Sequence, residues 1–168
     1  EGFRCVGFKW TRGQSTIVLD HVSREVETTK IVLRRRNRVK TYVSAEIAQL
    51  TRQWEVYHQQ ELVQPRPRVV IDEAKLVQHI RENERYYSDL IGVLDTSHQP
   101  WMELVYEDLF ENNVQQQLLQ FLQVAPQKLD AASVKQNPTD LRESIANFSE
   151  LSRRLAGSDL EAELHELE

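Results

Sequence analysis

The run Lys30-Ile31-Val32-Leu33, passing directly into Arg34-Arg35-Arg36-Asn37, most narrows what this chain can become. A compact β-branched run of this kind is expected of a buried parallel strand. Asn37 is a good N-cap, and beyond it Val39, Val43, Ile47, Leu50 and Trp54 recur at steps of three and four, predicting a helix with one apolar face. Strand, basic turn and helix together have a chemical consequence. Ligands of open α/β sheets bind beyond the C-terminal ends of strands, where unpaired N–H groups and the helix dipole favour an anion. An arginine at the turn adds a bidentate phosphate contact. At helical spacing Arg36, Lys40 and Ser44 lie four apart, so Ser44 can offer its hydroxyl to the phosphate that Arg36 holds. Taken alone, a basic run is more often a solvated face, and a nucleic-acid patch is a further alternative.

The rest of the chain alternates in the same way. Residues 4–10 read as a short strand, and residues 16–19 as either strand or the start of a helix. Gln64-Pro65-Arg66-Pro67-Arg68 reads as a loop, followed by a strand candidate at Val69-Val70-Ile71. Asp72 caps a helix with the stripe Leu76, Val77, Ile80, Tyr87 and Ile91, ending near Gly92. Trp101 to Tyr106 reads as a strand and Val114 to Leu122 as a helix, with mostly loop over 125–138. Thr139 or Asp140 caps a helix carrying Leu141, Ile145, Phe148, Leu151 and Leu155. Ser158 with Glu161 then forms a capping-box pattern for a last helix bearing Leu160, Leu164 and Leu167. Alternating strands and helices imply an α/β fold, a parallel sheet flanked by helices, with a helix-rich C-terminal third.

Composition removes several function classes. The 168 residues suit a single domain or the C-terminal part of one, and 40% hydrophobic with 28% charged residues sustains a packed core. No apolar run reaches the roughly 18 residues that span a bilayer. A net charge of −5 argues against nucleic acid as the main partner. The single cysteine, Cys5, excludes an internal disulfide and a Cys-rich metal site, which suits a reducing, cytoplasmic setting. No His or carboxylate pair stands at a metal-ligand spacing, so no metal is expected. Glu1-Gly2-Phe3-Arg4 carries neither an initiator Met nor a signal-peptide pattern, and a missing upstream segment is expected.

Three segments, in order, give the chain a resemblance. The first is an apolar strand, Arg36-Asn37, and Ser44 eight residues after the Arg, continuing Ala45-Glu46-Ile47-Ala48-Gln49-Leu50-Thr51-Arg52-Gln53-Trp54. The second is Val105-Tyr106-Glu107-Asp108-Leu109 with Phe121-Leu122-Gln123-Val124. The third is Val134-Lys135-Gln136-Asn137-Pro138 with Asn147-Phe148-Ser149-Glu150-Leu151. Together they resemble the sulfotransferase family, in its bacterial carbohydrate-type branch, over residues 31–155. Residues 1–30 match only loosely, through Gly7-Phe8-Lys9, and 156–168 form a C-terminal helix. Gln123 stands where the family phrase has Gly.

The resemblance implies a P-loop-like sulfotransferase fold, incomplete here at its N-terminus, that uses 3′-phosphoadenosine 5′-phosphosulfate (PAPS) and releases adenosine 3′,5′-bisphosphate. A hydroxyl acceptor, a carbohydrate by analogy with that branch, receives the sulfuryl group. Arg36 and Ser44 would clamp the 3′-phosphate, Arg36 being chosen over Arg34 and Arg35 by its spacing to Ser44. Tyr106 would contact the adenine, with Lys135, and Gln136 behind it, in the loop over the phosphate. Each has a plainer alternative: a half-buried tyrosine at a sheet edge, a surface lysine in a polar loop. Glu107 and Asp108 fit capping or pairing at the turn. The family's 5′-phosphosulfate loop has no counterpart. Thr11-Arg12-Gly13-Gln14-Ser15-Thr16 is expected to be a turn, preceded by a strand but followed by no convincing helix. The catalytic base is not identified; His21 and His58 flank the proposed site but read as surface residues. The chain alone is therefore expected to bind the nucleotide weakly or not at all and not to turn over. Two alternatives stand beside this. One is a non-catalytic helical interaction module docking, or self-associating, through Leu160, Leu164 and Leu167. The other is another phosphate-loop nucleotide-binding protein such as a kinase, which would need a Gly-rich loop with Lys that is not seen.

Overall fold

Lys30 to Arg34 do form a strand, β1, and it pairs in parallel with β2 (Trp101–Val105) in the register Lys30 with Trp101 through Arg34 with Val105. The computed structural model describes residues 6–167. The molecule is mixed helix and strand, and its two strands make a single small parallel sheet among the described residues. Two compact units are present, Glu1–Arg36 with Asn83–Leu129 and Asn37–Glu82 with Asp130–Glu168.

The first unit is built on that sheet. Only Lys30 and Val32 of β1 are buried, whereas Ile31 and Leu33 are 40% and 46% exposed, against the expectation of a fully buried strand. A two-stranded sheet offers β1 too little cover for both faces. Residues 6–10 are irregular rather than a strand, and Arg4 and Cys5 lie outside the described residues. Thr11 to Ser15 do turn, with Gly13 at φ 94°, but a helix follows after all: α1 (Thr16–Arg24), whose first turn is capped by the Ser15 hydroxyl accepting from Val18 N–H. The sequence leaves helix and strand both open here because Ile17 and Val18 are apolar and β-branched. After β2 the chain makes a 3-10 turn, Tyr106–Asp108, and a short helix, α4 (Asn112–Phe121). That helix ends on Gln123 at φ 55°, the left-handed conformation that a glycine adopts without strain.

The second unit holds the larger core. The helix after Asn37, α2 (Arg38–Thr51), buries Val39, Tyr42, Val43 and Ile47 against Leu76 and Ile80 of α3 (Glu73–Thr96). Arg36 precedes α2 in the turn rather than lying on the helix. The predicted apolar face stops at Ile47. Leu50, in the last turn of α2, and Trp54, beyond the exit through Arg52 at φ 57°, are 63% and 64% exposed. The expected strand at Val69–Ile71 is reduced to one parallel bridge, Val69 with Ile145. That bridge also divides the helix expected over 141–155 into α5 (Leu141–Ser144) and α6 (Phe148–Leu155). Val69 N–H donates to Ser144 O at 2.8 Å, and Ala146 N–H to Val69 O at 2.8 Å. Asn147 holds both the N–H and the carbonyl of Ile71, each at 2.9 Å. Backbone groups committed to residues 69–71 cannot continue a helical ladder. The last helix, α7 (Leu160–His165), buries Leu160 and Leu164 in the same core and leaves Leu167 62% exposed.

A carboxylate-free polar cavity on α2

Ser44 sits on the second and third turns of α2, on the face opposite the apolar stripe, with Thr41, Ala45 and Ala48 beside it. These residues form one wall of a cavity of about 220 Å³. Gln53, Trp54, Arg66, Gln136 and Asn137 complete the lining, and all belong to the second unit. Two segments far apart in sequence thus meet here, the stretch following Asn37 and the Lys135-Gln136-Asn137 loop. They meet by specific bonds: Asn137 Nδ2 donates to Ser44 Oγ at 3.1 Å, and Gln136 Nε2 to the Trp54 carbonyl at 3.1 Å. The loop is held in place by Val134 N–H donating to the buried Val56 at 2.8 Å.

The electrostatics of the cavity are one-sided. No carboxylate lines it, and Arg66 is its only charged residue. Arg66 Nη2 donates to Asn137 Oδ1 at 2.8 Å and Nη1 reaches Gln53 Oε1 at 3.5 Å, while its buried Nε has no hydrogen-bond acceptor. Burial draws the guanidinium below its ordinary value, with no neighbouring carboxylate to offset it. A half-buried cation met by neutral amides, beside a hydroxyl that can still donate, has the donors an anion would use.

The basic turn of the first unit is different. Arg34 Nη1 pairs with Glu103 at 3.1 Å across the sheet. The Arg35 guanidinium lies 4.3 Å from the Tyr106 ring centroid and 3.8 Å from the Glu107 carboxylate. Arg36 Nη2 meets both oxygens of Asp108, at 2.8 and 2.7 Å, and its backbone N–H donates to Glu107 at 2.9 Å. Glu107 and Asp108 thus pair with the arginine run, and the Tyr106 ring face carries a cation.

Of the residues picked out from sequence, the structure brings Ser44 and Gln136 to one cavity. Lys135 is exposed beside it, its ammonium donating to Thr139 Oγ1 at 2.7 Å. Arg36 and Tyr106 belong to the first unit and Ser44, Lys135 and Gln136 to the second. His21 in α1 and His58 before the 3-10 turn Gln59–Glu61 are exposed, and neither lines the cavity. Arg66 and Asn137, which also line the cavity, were not singled out as candidate site residues from the sequence. The available signal was an arginine locked between Pro65 and Pro67, which fix the backbone on both sides of it. No group of His, Cys, Asp and Glu among the described residues could hold a metal ion, and no helix among them is long and apolar enough to cross a membrane. Comparison with protein-family models, with curated proteins and with solved structures finds no match.

Proposed function

We propose that this chain carries the 3′-phosphate end of the PAPS site of a sulfotransferase with a P-loop-like α/β fold, acting on a hydroxyl acceptor of carbohydrate type. The observation that carries the proposal is the meeting of Ser44 with Gln136 and Asn137 at one cavity that contains a cation and no carboxylate. These are two of the three segments on which the family resemblance rests, and they are 93 positions apart at the Asn137–Ser44 bond. The donor set suits a phosphate monoester, and about 220 Å³ accommodates that group with part of its sugar. When bound, PAPS supplies the activated sulfuryl group, with adenosine 3′,5′-bisphosphate as the leaving product. Ser44 would donate its hydroxyl to the 3′-phosphate, and Asn137 would orient that hydroxyl by donating to its oxygen. Arg36, Tyr106 and Lys135 enter the proposal through the resemblance alone, as a second phosphate ligand, an adenine contact and a loop cation.

Calorimetric titration with adenosine 3′,5′-bisphosphate, with adenosine 5′-monophosphate as the control, tests this. The expected result is weak binding that requires the 3′-phosphate and falls about tenfold to a hundredfold in Ser44→Ala, the range for a hydrogen bond to a charged group. Equal binding of the two nucleotides, or an unchanged affinity in Ser44→Ala, would remove the proposal.

A further inference from the structure

We propose that Arg66, which lies outside every segment of the resemblance motifs, is the residue that takes the negative charge of a phosphate group in this cavity. The proposal rests on the sulfotransferase reading only for the source of that phosphate, a nucleotide 3′-phosphate rather than free phosphate.

Arg66 is placed for such a role and is paired for no other. Arg66 is half-buried, and a guanidinium that loses part of its water is ordinarily met by a carboxylate. Here the partners are the neutral amide oxygens of Asn137 and Gln53, and Nε has none. The neighbouring polar atoms are also suited to an anion. Ser44 Oγ accepts from Asn137 Nδ2 and so keeps its own proton to donate outward. A phosphate has enough oxygens to meet the guanidinium edge and the Ser44 hydroxyl together, which a single carboxylate does less well. The side chain is also held in advance. Pro65 and Pro67 restrict the backbone around it. Gln53 ties the approach to that loop, its Nε2 donating to Glu61 O at 2.6 Å and its Oε1 accepting from Val63 N–H at 3.1 Å. A cation fixed before the ligand arrives loses little freedom on binding it.

The test follows the side-chain Nε–H resonance of Arg66 in the full chain by nitrogen-15 NMR, assigned by its disappearance in Arg66→Lys. The probes are inorganic phosphate, adenosine 3′,5′-bisphosphate, adenosine 5′-monophosphate and, at matched ionic strength, chloride. Inorganic phosphate and the bisphosphate should shift the Arg66 signal where chloride does not, with adenosine 5′-monophosphate the weaker of the two nucleotides. Arg66→Gln should weaken their binding at least tenfold, with Arg66→Lys retaining part of it. An Arg66 signal indifferent to both inorganic phosphate and the bisphosphate overturns the proposal without recourse to any variant. So does binding of equal strength in Arg66→Gln. Should the bisphosphate bind with a 3′-phosphate requirement but independently of Arg66, the nucleotide reading survives and this inference does not. Should all three phosphates bind equally and through Arg66, the inference holds and the nucleotide reading fails.

Discussion

Asn37 shows how much a single side chain can be asked to do. It is 1% exposed, and both ends of its amide are used. Oδ1 accepts from Lys40 N–H at 2.7 Å and caps α2, while Nδ2 donates to Glu163 O at 2.7 Å and to the Glu166 carboxylate at 2.5 Å. From sequence it reads as an N-cap, a position where aspartate serves as well as asparagine. The structure makes those two residues unequal here. Asn37→Ala loses the cap and leaves two part-buried acceptors without this donor, costing on the order of 2 kcal/mol. Asn37→Asp keeps the cap but turns a carboxylate toward a carbonyl and a second carboxylate, so it should be at least as destabilising as the alanine variant. Urea denaturation midpoints of the three proteins decide it: an aspartate variant as stable as wild type would show that the amide donor contributes nothing.

At the scale of elements, what was legible followed from local rules. β1, α2, the start of α3 and β2 all fall where β-branched runs, caps and 3.6-residue spacing put them. What was not legible depends on partners distant in sequence. Ile145 continues an apolar helical stripe, yet it bridges Val69 and breaks the helix. Arg66 becomes a site residue only because Asn137 and Ser44 come to it. Gln123 takes a left-handed backbone, φ 55°, which its side chain does not announce in the sequence. The fate of the Leu160-Leu164-Leu167 stripe is likewise a tertiary matter. Leu160 and Leu164 are 5% and 2% exposed in the second unit's own core, and Glu163 is engaged by Arg38 at 2.5 Å. Of that stripe only Leu167 is left on the surface, so Leu160 and Leu164 hold the unit together rather than facing a partner. Leu164→Ala should cost about 2–5 kcal/mol by creating a cavity, with no change of oligomeric state. Thermal denaturation together with light scattering checks both halves of that expectation, and a shift in mass without loss of stability would return the stripe to the surface.

For the whole molecule, stability against pH is the sum of groups shifted in opposite directions. Asp140 is held low chiefly by the Arg142 backbone N–H, and Asp159 chiefly by its hydrogen bond from Arg38. A depressed carboxylate stabilises above its unfolded value and loses that contribution as pH falls through the folded one. On the alkaline side Tyr42, Tyr86 and Tyr87 are all raised, in each case first by burial. Their contribution is fully present below the ordinary tyrosine value and is lost as pH rises through the raised one. Lys30 runs the other way. Burial lowers it, so its desolvation cost is relieved as pH rises toward the ordinary lysine value. Stability should therefore hold or rise slightly up to about pH 10 and then fall as the tyrosines ionise. Tyr87 isolates one part of this sum, because its hydroxyl donates to Leu33 O at 3.1 Å. At about pH 8 Tyr87→Phe should be less stable than wild type by roughly 1 kcal/mol, the worth of one hydrogen bond. Near pH 11 wild-type Tyr87 must either keep its proton against the solvent or lose the donor and place a charge at a half-buried site, so the gap should close or reverse. Denaturation midpoints of both proteins at the two pH values, with tyrosinate absorbance followed in parallel, measure it. A gap that stays constant would mean that Tyr87 ionises alike in the folded and unfolded chains, and that its burial does not shape the alkaline limb.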